Sequence, residues 1–136
     1  MTAIAVDTSA IVAILRNEPE KDRFVDALLA ASARFMSAVS LQEAGMVIAG
    51  RFGDDTIWEP LDALLARLDV EIVAHDAALA RIARTAFLRF GKGRHPAQLN
   101  FGDCAAYALA RANGLPLLFK GGDFSKTDIV AVVEEA

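Results

Sequence analysis

One cysteine, Cys104, is all the chain contains. An internal disulfide is therefore excluded, and a reducing compartment, the cytoplasm, is expected. No apolar run reaches the roughly 20 residues that a membrane span needs. The first apolar stretch, Ala3–Leu15, is interrupted by Asp7 and follows no basic region, so it does not read as a secretory signal. There is no Ser-His-Asp set, no Walker loop and no GxGxxG turn; GKGRHP has glycines and a lysine at the wrong spacing. His75 and His95 lack a second His or Cys at metal-ligand spacing. Net positive charge is also missing. At −4 the chain as a whole disfavours phosphate backbones, yet Arg81, Arg84, Arg89, Lys92 and Arg94 follow one another with no acid among them. One segment is basic in an otherwise acidic chain.

What is present is apolar: 54% of the 136 residues are hydrophobic, enough to bury a core as one domain over residues 1–136. Ala3–Val6, Arg34–Ser37, Val70–Ala74, Leu117–Phe119 and Ile129–Val133 read as short strands. Between them lie helical patterns. Ala10–Leu15 has Thr8 and Ser9 as candidate caps, and Arg23–Ala31 is preceded by Pro19 at a first helical position. SLQEAGMVIAGRFG opens on Ser40-x-x-Glu43, and NFGDCAAYALARANG opens on Asn100-x-x-Asp103; both spacings predict capping boxes. Trp58–Leu68 and Asp76–Phe90 complete the set. Strands alternating with helices predict an α/β domain with a largely parallel sheet.

An ionised side chain in a run as apolar as AIAVDTSAIVAIL is costly unless paired, hydrogen-bonded or metal-bound. Asp7 follows the first strand and Asp123 follows the fourth, which places both at the carboxyl edge of a parallel sheet, where ligands bind. Glu43 and Asp103 each fall in the first turn of a helix that starts from that edge. Four acids meeting there need a cation, since like charges about 4 Å apart repel by roughly 4 kcal/mol at an effective dielectric near 20. An all-oxygen set suits Mg²⁺ or Mn²⁺. Such a site hydrolyses phosphodiesters by activating a water, and the basic segment before Asp103 is placed to hold the polyanion. Duller roles are open for each acid: Glu43 and Asp103 as caps, Asp123 as a turn residue, Asp7 as the cap of the next helix. Ser9 either caps or orients the Asp7 carboxylate. Tyr107 and Cys104 read as core.

Asp7-Thr8-Ser9, Glu43 in SLQEAG, LNFGDCAAYALA and LLFKGGDFSKTDI together resemble the PIN-domain ribonucleases, specifically VapC-type toxins of bacterial toxin–antitoxin pairs. The resemblance runs along nearly the whole chain and is most specific from Phe87 to Ile129. It implies a three-layer sandwich with a mainly parallel five-stranded sheet, RNA cleavage dependent on Mg²⁺ or Mn²⁺, a homodimer, and inhibition by a VapB-type antitoxin. Carried over by position, it implies an acidic quartet of Asp7, Glu43, Asp103 and Asp123, with Asp7 and Asp103 as metal ligands. Asp128 matches a further acid near that site, whereas Gly122 stands where some relatives carry an acid. Arg81, Arg84, Arg89, Lys92 and Arg94 are then the expected RNA contacts. Two rivals use the same residues: phosphoryl transfer through an aspartyl phosphate on Asp7 with Lys120 nearby, and a protein-binding module without catalysis.

Overall fold

Two of the strands, Ile4–Val6 and Leu117–Leu118, are short and apolar because helices cover them on both sides, while the other two are partly exposed. The computed structural model describes residues 2–133. It contains β1 (Ile4–Val6), β2 (Arg34–Ser37), β3 (Val70–Val73) and β4 (Leu117–Leu118), all parallel, in the order β3-β2-β1-β4. The helices are α1 (Thr8–Leu15), α2 (Lys21–Ala30), α3 (Ala38–Ala49), α4 (Glu59–Arg67), α5 (Ala77–Phe90) and α6 (Phe101–Ala112). Side chains alternate across a strand. Ile4, Val6 and Leu118 accordingly enter one core with Ile11, Leu28 and Leu61, while Ala5 and Leu117 enter another with Phe90, Leu99, Tyr107 and Leu109. The result is the expected α/β three-layer sandwich.

Four strands form among the described residues, where five were expected. The Ile129–Val133 segment touches the sheet through one parallel bridge, Leu117 to Ala131. β4 offers only two residues to pair with, and the Ile129 amide is already donated to the Thr127 hydroxyl at 3.2 Å. The partner runs out before a ladder can extend.

Three capping expectations are corrected. Thr8 and Ser9 lie inside α1 rather than capping it, and Asp7, in extended backbone, is the cap, the duller role left open for it above. Ser37 caps α3, because β2 runs into that helix with no loop between them. Ser40 is therefore buried one turn in, its carbonyl accepting from the Thr8 hydroxyl at 2.9 Å, and Glu43 sits in the second turn rather than closing a box. Pro19 stands two residues ahead of α2 instead of opening it. The Asn100–Asp103 box of α6 forms as expected.

This topology makes one strand special. β2 and β3 are laid to one side of β1 and β4 to the other, so the order reverses at the carboxyl end of β1. Asp7 is the residue there.

Candidate active site

Asp7 is held on three sides. Its amide donates to the Leu118 carbonyl at 2.9 Å, which ties it to β4. Its Oδ2 accepts from the Ser9 amide at 3.0 Å and from the Ser9 hydroxyl at 2.6 Å. Ser9 Oγ in turn accepts from the Lys120 amide at 2.9 Å. Ser9 thus links the ends of β1 and β4 through its hydroxyl and holds one edge of the carboxylate. The other edge is bare: Asp7 is 3% exposed, and its Oδ1 is buried without a hydrogen-bond partner. Burial pushes the Asp7 carboxyl up to about 7; the Ser9 bonds oppose that rise, and the charges of Asp103 and Glu43 add to it.

Asp103 and Glu43 come to this edge from two different helices. Asp103 stands in the first turn of α6, where its Oδ2 accepts from the Asn100 amide at 3.0 Å, leaving Oδ1 for other duty. Partial burial raises its carboxyl, the Asn100 bond opposes this, and Glu43 and Asp123 raise it further. Glu43 reaches α6 because position 102 is glycine. A Cβ built there would lie 2.5 Å from Glu43 Oε2 and 2.7 Å from Oε1. Gly102 is the functional residue that the sequence reading passed over; its signal was a glycine within the first turn of a helix whose other capping residues were all recognised.

The remaining expected residues divide. Asp123 is exposed, beside the turn that follows β4, and reaches the group only through its charge on Asp103. Asp128 belongs to a different cluster: its Oδ1 accepts from the Tyr107 hydroxyl at 2.6 Å, and its Oδ2 stands 3.7 Å from both Arg89 and Arg111. Tyr107 is consequently buried, and burial together with Asp128 pushes its hydroxyl up to about 12. Arg81, Arg84, Arg89, Lys92 and Arg94 are all exposed. Arg89 is partly engaged, over the Phe90 ring at 4.7 Å as well as against Asp128. Arg111, beyond the basic segment, shares that cluster. The Lys120 ammonium is clamped 3.0 Å from both Glu18 and Glu20, which takes it away from any phosphoryl-transfer role at Asp7. Cys104 is buried, and burial raises its thiol to about 11, so it is no nucleophile.

The donors suit a hard divalent cation. A buried carboxylate oxygen without a partner, beside two further acids that repel it, is relieved by positive charge. Among the described residues no three His, Cys, Asp or Glu side chains stand as a finished ligand set. Mg²⁺ asks for less: one or two carboxylates, with waters in the remaining positions. Asp7 and Asp103 bring two carboxylates to this edge, the Asp7 Oδ1 without a hydrogen-bond partner. Next to them, Glu43 lines a groove of about 600 Å³ whose walls include Val39, Met46, Val47 and Phe101.

The family model described as "PIN domain" matches residues 4–130. Ribonuclease VapC30 of Mycobacterium tuberculosis is 49% identical over 129 residues, which is 95% of this chain and 98% of that protein. Ribonuclease VapC of Mycolicibacterium smegmatis is also 49% identical over 129 residues, covering 95% and 99%. Among solved structures, the sarcin-ricin-loop-cleaving toxin VapC20 of Mycobacterium tuberculosis superposes with a TM-score of 0.73 at 22% identity, over 93% of this chain and 96% of that one. A toxin–antitoxin complex from Klebsiella pneumoniae gives 0.70 at 16% identity, over 97% and 99%.

Proposed function

Since the chain belongs to the PIN-domain family, among its VapC ribonucleases, we propose that it is a cytoplasmic, metal-dependent endoribonuclease toxin, one domain throughout, neutralised by a VapB-type antitoxin. The observation that carries this reading is the buried, half-bonded Asp7 carboxylate at the sheet's reversal point, in electrostatic reach of Asp103 and Glu43. Asp7 and Asp103 would hold Mg²⁺ or Mn²⁺. When bound, such an ion lowers the proton affinity of a water and neutralises charge gathering on a phosphate.

The protein supplies the rest. Ser9 fixes the rotamer of Asp7 by occupying Oδ2, which leaves Oδ1 for the ion. The capping box does the same for Asp103. Glu43, set against Gly102, is the carboxylate available to take the proton of an attacking water as the new P–O bond forms and the leaving oxygen departs. Asp123 adds negative charge at the rim, either orienting that water or completing the shell through another. Arg81, Arg84, Lys92 and Arg94 would pair with RNA phosphates, with Arg89 shared between RNA and Asp128. Asp128 itself serves to anchor the segment after β4 onto α6.

The groove beside Glu43 fits an antitoxin segment that carries apolar side chains and one cation, the apolar ones against Met46, Val47 and Phe101 and the cation among the acids. If replacing all four acids leaves antitoxin affinity unchanged, the inserted cation is wrong. A homodimer is part of the same proposal, and sedimentation velocity checks it.

The direct test is digestion of total cellular RNA by purified protein, with and without divalent ions, with new ends mapped. Discrete ends that need both the ion and Asp7 support the proposal. Cleavage that survives chelation, or that survives Asp7→Asn, overturns it.

A further inference from the structure

A second cleft of about 360 Å³ lies between α5 and α6, with His75, Arg84, Phe87, Phe101 and Cys104 in its walls. We propose that it is a nucleobase subsite, receiving one unpaired base of the RNA beside the scissile region; the inference rests on the ribonuclease reading above.

Its position ties it to the acids. Phe101 belongs to both clefts, standing between the groove that Glu43 lines and the one that His75 lines. It also opens α6, two residues ahead of Asp103 and so only about 3 Å from it along the helix axis. His75 follows β3 at the same carboxyl edge as Asp7.

Its chemistry is that of base recognition. Phe101 is 77% exposed and Phe87 38% exposed, an unfavourable use of two aromatic rings unless something stacks on them. The cleft stays open because α5 presents only alanines at positions 80 and 83 there. His75 Nδ1 is screened from solvent and has no hydrogen-bond partner. Buried polar atoms are normally paired, and His75 is itself half-buried in the cleft wall, so a turn of its ring would bring this nitrogen to a ligand that supplies the missing bond. The edge of a base does so. A base with the wrong edge leaves the nitrogen unpaired, which makes His75 a specificity determinant rather than a source of affinity alone. Arg84 is exposed and has no acidic partner among the described residues, so its guanidinium is free for the phosphate of the docked nucleotide.

The test measures binding of 5′-labelled hexaribonucleotides of A, C, G or U and of an abasic hexamer, in chelator so that nothing is cut. Wild-type protein is compared with Phe87→Ala, His75→Ala and Ala80→Leu, the last filling the cleft while keeping every polar group. Circular dichroism checks folding. Wild-type protein is expected to prefer one base-bearing hexamer over the abasic one by about tenfold. Phe87→Ala and Ala80→Leu should erase most of that margin, and His75→Ala should level the differences among the four bases.

Equal binding of the abasic hexamer, or base dependence that survives in all three variants, overturns the subsite. So does altered self-association with base dependence intact, which would mark the cleft as a contact between copies. The two readings fail separately. Protein that discriminates bases but cuts no RNA defeats only the nuclease; protein that cuts RNA without base discrimination defeats only the subsite.

Discussion

Replacing Asp7 with asparagine should abolish activity and stabilise the metal-free fold, most strongly above neutral pH. Burial lifts the Asp7 carboxyl from 3.8 to about 7. A carboxyl whose folded value lies above its unfolded value contributes its full stability below the unfolded value and loses it as the pH rises through the folded one. For Asp7 that window runs from about pH 4 to about pH 7, and across it the metal-free protein should lose about 4 kcal/mol. Asparagine cannot ionise, so its variant lacks this slope. The gain is smaller than the full loss, because the amide NH₂ takes the place of the unpartnered Oδ1 at a cost of about 1–3 kcal/mol. In EDTA at pH 8, Asp7→Asn should therefore exceed the wild type by about 1–3 kcal/mol, and near pH 4 it should be the less stable of the two. Urea unfolding at several pH values measures this directly, and the difference between the two proteins removes the titration of groups distant from Asp7. A wild-type stability that is level from pH 4 to pH 8, or a variant less stable at pH 8, would refute the assignment of a strained, uncompensated carboxylate.

Other outcomes follow from neighbouring contacts. Gly102→Ala should lower RNA cleavage at least tenfold with little loss of helical circular dichroism, since the new methyl displaces the Glu43 carboxylate; unchanged turnover would remove Glu43 from the chemistry. Ser9→Ala forfeits the hydroxyl bonds to Asp7 and to the Lys120 amide and should destabilise the fold by about 1–2 kcal/mol, read from denaturant midpoints. Asp128→Ala leaves the Tyr107 hydroxyl and two arginines without their acceptor; it should cost about 1–2 kcal/mol in the same assay and leave cleavage intact. RNA affinity should fall with salt, with a log–log slope of about −0.7 for each phosphate contact, and Arg81→Ala or Lys92→Ala should each flatten that slope by about 0.7.

The fold was legible wherever one signal dominated. Short apolar runs separated by amphipathic stretches placed the four strands and six α-helices of the described residues, most plainly at β1 and β4, which are buried on both faces. The start of α3 was not legible. Ser40-x-x-Glu43 and Ser37 compete for the same role, and only the direct run of β2 into the helix decides for Ser37. A similar contest hid the first cap, since Asp7, Thr8 and Ser9 all carry capping oxygens. The fifth strand failed for a tertiary reason, the two-residue length of β4, which the apolar pattern at Ile129–Val133 does not record. Of the acids, Asp7 stood out by its surroundings alone. The approach of Glu43 to α6 depended on a missing Cβ at Gly102, and the unpartnered nitrogen of His75 depended on how its ring packs beside α5 and α6. The glycine at position 102 is visible in the sequence, but what it makes room for is not, and nothing in composition or spacing marks His75.

Titration of the purified protein with Mn²⁺, followed by electron paramagnetic resonance of the free ion, bears most directly on the claim that Asp7 helps to hold a divalent cation. Saturable binding to the wild type, lost or weakened by at least tenfold in Asp7→Asn, is the expected result. Equal binding by both proteins, or none by the wild type, would contradict it.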